Sequence, residues 1–174
     1  MFLFGDSGVV VKEATKKIKS MIDGFNYISH TEVVVGITEE SNAAREEGVT
    51  NSQLLYLHEN GIPSHNIPPR PVLKPAIGRE GTRDQITDMM KQGLKQAILH
   101  GNKVEAEKSF HKAGMLGRDA CKNYIVEGTN LAPNAPETIR RKLAKGKDGS
   151  GDVKPLIDTG SMLNSITYAV RRKK

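Results

Sequence analysis

Five prolines fall within residues 62–75, at positions 63, 68, 69, 71 and 75. Each ring locks φ at about −65°, removes a backbone donor and pushes the preceding residue out of the helical region. No helix continues through such a run, so it reads as an extended, stiff segment. Regular elements are sought on either side of it.

Upstream, Val11, Ala14, Ile18, Met21 and Ile22 recur at helical spacing within residues 10–22, with Lys12, Lys16, Lys17 and Lys19 on the other side. This predicts an amphipathic helix stopped by Asp23-Gly24. Residues 31–38 carry Val33-Val34-Val35 and Ile37, the pattern of a largely buried strand. Residues 39–49 are polar and read as a flexible loop or hairpin tip. Leu54, Leu55 and Leu57 predict a short helix over 51–59, ended by Asn60-Gly61.

Downstream, Thr82-Arg83-Asp84-Gln85 is a capping-box pattern. It opens a helix with the apolar stripe Ile86, Met89, Met90, Leu94, Ala97 and Ile98, closed by His100-Gly101. Asn102 opens a second long helix reaching Tyr124 or Glu127. Gly114 and Gly117 lie inside it at a cost of about 1 kcal/mol each against Ala, which predicts a kink or close packing there. Pro136 suits the first turn of a short basic helix through Leu143. Residues 146–154 read as flexible. A helical turn over 160–164 and the alternation of Ile166, Tyr168 and Val170 close the chain as a strand. The expected fold is a single α+β domain over residues 1–174. It has a small, mostly antiparallel sheet of three to four strands packed with two substantial helices, plus extended loops.

A chain of 174 residues buries about 68–70% of its unfolded surface, enough for a real core. With four Tyr, four Phe and no Trp, that core is expected to be aliphatic. Cys121 is the only cysteine, so neither an internal disulfide nor a cysteine metal cluster is expected. Phe2-Leu3-Phe4 lacks the basic and long apolar regions of a signal peptide. No stretch approaches the ~18 apolar residues of a membrane span. The expectation is a soluble protein with no membrane partner.

The net charge of +6 is weighted towards Arg140, Arg141, Lys142, Lys145, Lys147 and Arg171 to Lys174. Such groups form either a solvated face or a contact with DNA phosphate or an acidic partner. No aromatics interleave with them, which argues against base stacking.

Catalytic patterns fail on inspection. Gly5-Asp6-Ser7-Gly8 resembles a serine-protease nucleophile, but the His and carboxylate that family places upstream have no room. Ser7 or Asp6 reads better as a helix cap. Leu156-Ile157-Asp158-Thr159-Gly160-Ser161 resembles an aspartic-protease loop, yet only 13 residues follow Ser161. That leaves no room for the supporting lobe, and the chemistry needs two such carboxylates. The histidines, at 30, 58, 65, 100 and 111, are scattered and lack paired metal-ligand spacing. Residues 145–151 are glycine-rich without the Gly-Lys-Ser/Thr of a phosphate loop. No catalytic residue, metal or cofactor is expected.

Two segments together resemble a known family. The first is Leu54 to Gly61 followed by Ile67-Pro68-Pro69-Arg70-Pro71-Val72-Leu73-Lys74-Pro75-Ala76. The second is Ala132-Pro133, Pro136-Glu137-Thr138-Ile139 and Lys142, then Pro155-Leu156-Ile157-Asp158-Thr159-Gly160, Leu163, Ser165 to Tyr168 and Val170. In this order they are similar to the small tail-component and virion-morphogenesis proteins of the tailed-phage neck and tail-completion steps. Val72-Leu73 stands where that family more often has an aromatic-led pair.

The resemblance implies a structural virion protein that joins tail to head as a ring of its own copies, six-fold to match the tail tube. It would be assembled in the host cytoplasm beside connector and tail-tube or terminator proteins. It also implies assembly roles for Glu59, Gly61, Pro69, Arg70, Pro71, Leu156, Asp158, Thr159 and Gly160. Within that reading, the pre-ordered proline segment docks at little entropic cost. Arg70 would bond a carboxylate across a subunit boundary, and Asp158 would cap the last helical turn. Arg140, Arg141, Lys142, Arg171 and Arg172 would face channel DNA or an acidic ring. The alternatives are a basic nucleic-acid-binding protein, or an assembly chaperone absent from the finished particle.

Overall fold

The computed structural model describes residues 7–42, 48–145 and 153–173, so the expected flexible segments lie partly outside the described residues. Helix α1 (Ser7–Ser29) leads into strand β1 (Thr31–Gly36), and α2 (Asn51–Asn60) precedes the proline segment. Then come α3 (Leu73–Gly78), α4 (Glu80–Leu99), α5 (Lys103–Glu127), α6 (Pro136–Lys145), α7 (Ser161–Ser165) and strand β2 (Thr167–Arg172). The fold is α+β but mainly helical.

Among the described residues the sheet has two strands, not three to four. β1 and β2 pair antiparallel, with Val34 opposite Ala169. The strand-like runs of the sequence are these two segments, and the proline run supplies only an isolated bridge between Ile62 and Ile67. β1 is half-buried throughout rather than largely buried, because helices cover one face of so small a sheet.

Helix α5 is the hub, touching α4, α3 and both strands. Its two glycines mark close packing, as one of the two expectations held. A Cβ on Gly114 would collide with the Tyr168 ring, and one on Gly117 would meet Val35 Cγ2 at 2.9 Å. The first core cluster joins Val72, Ala76, Cys121, Tyr124, Ile125, Leu131 and Ile166. The second gathers Ala97, Ala106 and Phe110. The core is therefore not purely aliphatic: Phe110 fits the notch left by Gly93, where a Cβ would strike its ring.

Three boundaries depart from expectation. α1 runs through Asp23-Gly24 to Ser29, because Gly24 is where this helix meets the Ala97 carbonyl and Ile98 of α4. α4 starts at Glu80, a turn's edge before the Thr82 pattern, and its N-cap Arg79 makes no side-chain cap bond. Arg79 instead pairs with Glu127 at 2.6 Å and stacks 4.8 Å from the Tyr124 ring. Pro75 lies inside α3 rather than in extended chain, in the first turn, where a missing donor costs nothing.

Candidate functional site: a platform joining two distant segments

The end of α2 and the proline segment are fixed by their own backbone. Gly61 caps α2 at φ 72°, and a Cβ there would press on Pro69 N at 2.7 Å and Ile67 O at 2.8 Å. Only glycine combines that φ with that proximity. Arg70 N then donates to His58 O at 2.6 Å. Glu59 reaches forward instead of outward: its Oε1 accepts from both Val72 N and Leu73 N at 2.8 Å. A carboxylate on the first donors of α3 is a charge-assisted cap that sits well on the helix dipole.

Arg70 is the main correction. It is only 7% exposed, and its fork is spent inside the chain. Nε donates to Ala132 O at 2.7 Å, and a terminal nitrogen donates to Pro133 O at 2.8 Å. Burial pulls its pKa below the usual arginine value. It does not present a bidentate edge to a neighbour's carboxylate. Pro69 and Pro71 hold the backbone on either side of it.

The second segment is strapped down in the same way. Lys142 of α6 donates to Lys154 O at 2.6 Å and also to Ile157 O. Asn134 Nδ2 donates to Val153 O at 2.7 Å. Leu156 sits at φ 63°, an uncommon conformation for a non-glycine residue, while its side chain packs on the first core cluster. Asp158 is not the cap of α7: Gly160 occupies that position at φ 76°, without a side-chain cap bond. Thr159 Oγ1 accepts from Ser161 N at 3.3 Å, and Asp158 and Thr159 are exposed.

Asn51, which no sequence pattern singled out, ties the segments together a second time. It is fully buried, and its Nδ2 donates to Ser165 Oγ at 2.8 Å and Ser161 Oγ at 3.0 Å. A lone Asn at a helix start reads as a cap, so nothing local signals this reach across the fold.

Between the joined segments lies an open cleft of about 600 Å³. Leu54, Pro68, Pro133 and Ile157 contribute apolar walls, and Arg70, Arg141, Lys142, Asp158 and Thr159 contribute polar ones. Leu156 and Gly160 also line it, whereas Glu59, Gly61, Pro69 and Pro71 support it from behind. Among the described residues, Asp158 is the single carboxylate in the lining. Among the described residues, no group of three or more His, Cys, Asp or Glu is placed to hold a metal, and no helix is long and apolar enough to cross a membrane.

The basic residues do not form one patch. Arg141 and Lys142 line the cleft, and Arg140 pairs with Glu137 at 2.8 Å. Arg171 and Arg172 lie at the far end of β2. There Arg171 pairs with Glu32 at 2.8 Å and Arg172 stacks 5.0 Å from the Tyr27 ring. No protein-family model matches the chain, no curated protein matches it in sequence, and no solved structure matches its fold.

Proposed function

We propose that this chain is a non-enzymatic structural protein of a tailed-phage particle, acting in the neck or at tail completion as a ring that joins tail to head. The observation that carries the reading is the Arg70 clamp. The two segments whose order resembles the neck and tail-completion family stand 62 residues apart at Arg70 and Ala132, yet form one bonded surface. A motif split across the sequence but continuous in space is what a shared docking surface requires. The partners in this reading are further copies of the chain, six in the ring that matches a tail tube, the adjoining connector and tail-tube or terminator proteins, and packaged DNA in the channel.

The test is mass spectrometry of purified particles together with loss of the gene. The chain should be present in finished particles, and its loss should leave heads and tails unjoined. A chain needed for joining but absent from particles would instead be an assembly chaperone. The second reading, nucleic-acid binding, is favoured by Arg172 and Lys103 flanking Tyr27 at 5.0 and 5.9 Å. It requires retention on a DNA column that collapses steeply with salt.

A further inference from the structure

The cleft between the joined segments carries a buried charge that the chain does not neutralise. Arg70 lines it at 7% exposure, and its bonds go to neutral carbonyls. Taking an ion out of water is costly, so buried charges are ordinarily met by an opposite charge. Among the described residues no carboxylate pairs with Arg70, nor with Arg141, which is exposed in the same lining.

The surroundings are cationic as well. Among the described residues the lining holds Arg70, Arg141 and Lys142, besides the imidazole of His58, against the carboxylate of Asp158. The nearest acidic side chains in sequence are already engaged: Glu137 pairs with Arg140, and Glu59 caps α3. Lys142 is bonded to the Lys154 and Ile157 carbonyls. Arg141 is therefore the cation placed to meet an anion from outside.

The walls are set before anything binds. Among the described residues only Asn66 and Leu156 hold a positive φ without being glycine, and both line this cleft. Backbone held in that region gathers where proteins clamp ligands. The volume of about 600 Å³ lies within the ~300–1,000 Å³ range of ligand clefts.

We infer that the cleft takes a short acidic segment of an adjoining protein, its apolar side chains against Leu54, Pro68 and Ile157 and its carboxylate on Arg141. The buried charge of Arg70 reinforces that pairing. A phosphate backbone would meet the cations but leave the apolar walls wet, and no Phe, Tyr or Trp among the described residues lines the cleft for bases to stack on. The inference rests on the reading of the joined segments as a docking surface, and names the chemistry of what docks there.

The test applies the labelled full chain to an array of short peptides of random sequence. Captured peptides should be enriched in Asp and Glu together with Leu, Ile or Val. Arg141→Glu changes an exposed residue and should leave the melting curve unmoved. It should weaken the acidic peptides about ten- to a hundredfold, the worth of a hydrogen bond to a charged group, and move capture towards peptides bearing Lys or Arg. Thr159→Trp, also exposed in the lining, should block both. No capture, or capture indifferent to Arg141, would overturn the inference. So would displacement of the peptides by duplex DNA, which gives the cleft to nucleic acid. Self-assembly of the wild type that Arg141→Glu abolishes would overturn it too, in favour of a second copy. After any of these failures, a chain found in particles and needed for joining keeps the structural reading. A chain absent from particles whose heads and tails join without it overturns that reading, and leaves peptide capture as a property of the cleft alone.

Discussion

Arg70 bonds two carbonyls rather than a partner, and its substitution separates a folding role from an interfacial one. Arg70→Met strands the Ala132 and Pro133 carbonyls and should lower the unfolding free energy of the isolated chain by about 3 kcal/mol. Arg70→Lys keeps the charge but cannot span both acceptors, and should cost about half as much. Urea unfolding reads both; no loss in the monomer would return Arg70 to the interface. That Arg70 is held between prolines was legible in the sequence. Its direction was not, because its acceptors are backbone carbonyls of Ala132 and Pro133, which carry no side-chain signature. Cys121 gives a second residue-scale test. Burial, helped by the Glu59 carboxylate, pushes its thiol from 9.0 up to about 12. Below 9.0 the thiol is protonated in both states and stability is intact. As pH rises from there towards 12, only the unfolded chain releases the proton, so stability declines. Unfolding between neutral pH and about pH 10 should show this fall, and Cys121→Ala should flatten it.

Among the elements, Gly24 sets two tendencies against each other. Alanine is the better helix former by about 1 kcal/mol, so Gly24→Ala would stabilise an isolated helix. In the folded chain the added methyl meets the backbone of α4, which cannot move aside as a side chain can. The expected net loss is about 1–3 kcal/mol, with Asp23→Ala as a near-neutral control, both read by thermal unfolding. The same conflict explains why Asp23-Gly24 looked like a stop: glycine breaks helices by propensity, and only the facing helix reveals a glycine kept for proximity. Some local signals held. Asn102 caps α5 by accepting from Glu105 N at 3.1 Å, as its position indicates. The pattern at Thr82 went unused because α3 and α4 are separated by Arg79 alone, leaving no room to enter helix later. Its true counterpart is Thr50 with Gln53, which form the reciprocal pair at the start of α2. The third and fourth strands had no particular residues behind them, and the described sheet has two.

For the molecule as a whole, the sequence shows the two family-like segments and their order, but not that they share one surface. That contact depends on the long α4–α5 hairpin returning the chain to Ala132, a property of length and packing angle that no short motif encodes. The register of the sheet carries a mechanical consequence. Thr31 pairs with Arg172, so the chain enters β1 and leaves β2 at the same end of the ladder. Tension applied at these two flanks therefore peels the ladder open one rung at a time, whereas tension between Gly36 and Arg172 loads all the rungs in shear. In optical tweezers, handles at His30 and Lys173 should rupture the fold at clearly lower force than handles at Gly36 and Arg172. The sheet therefore resists a pull along its ladder far better than one at the end where the chain enters and leaves it.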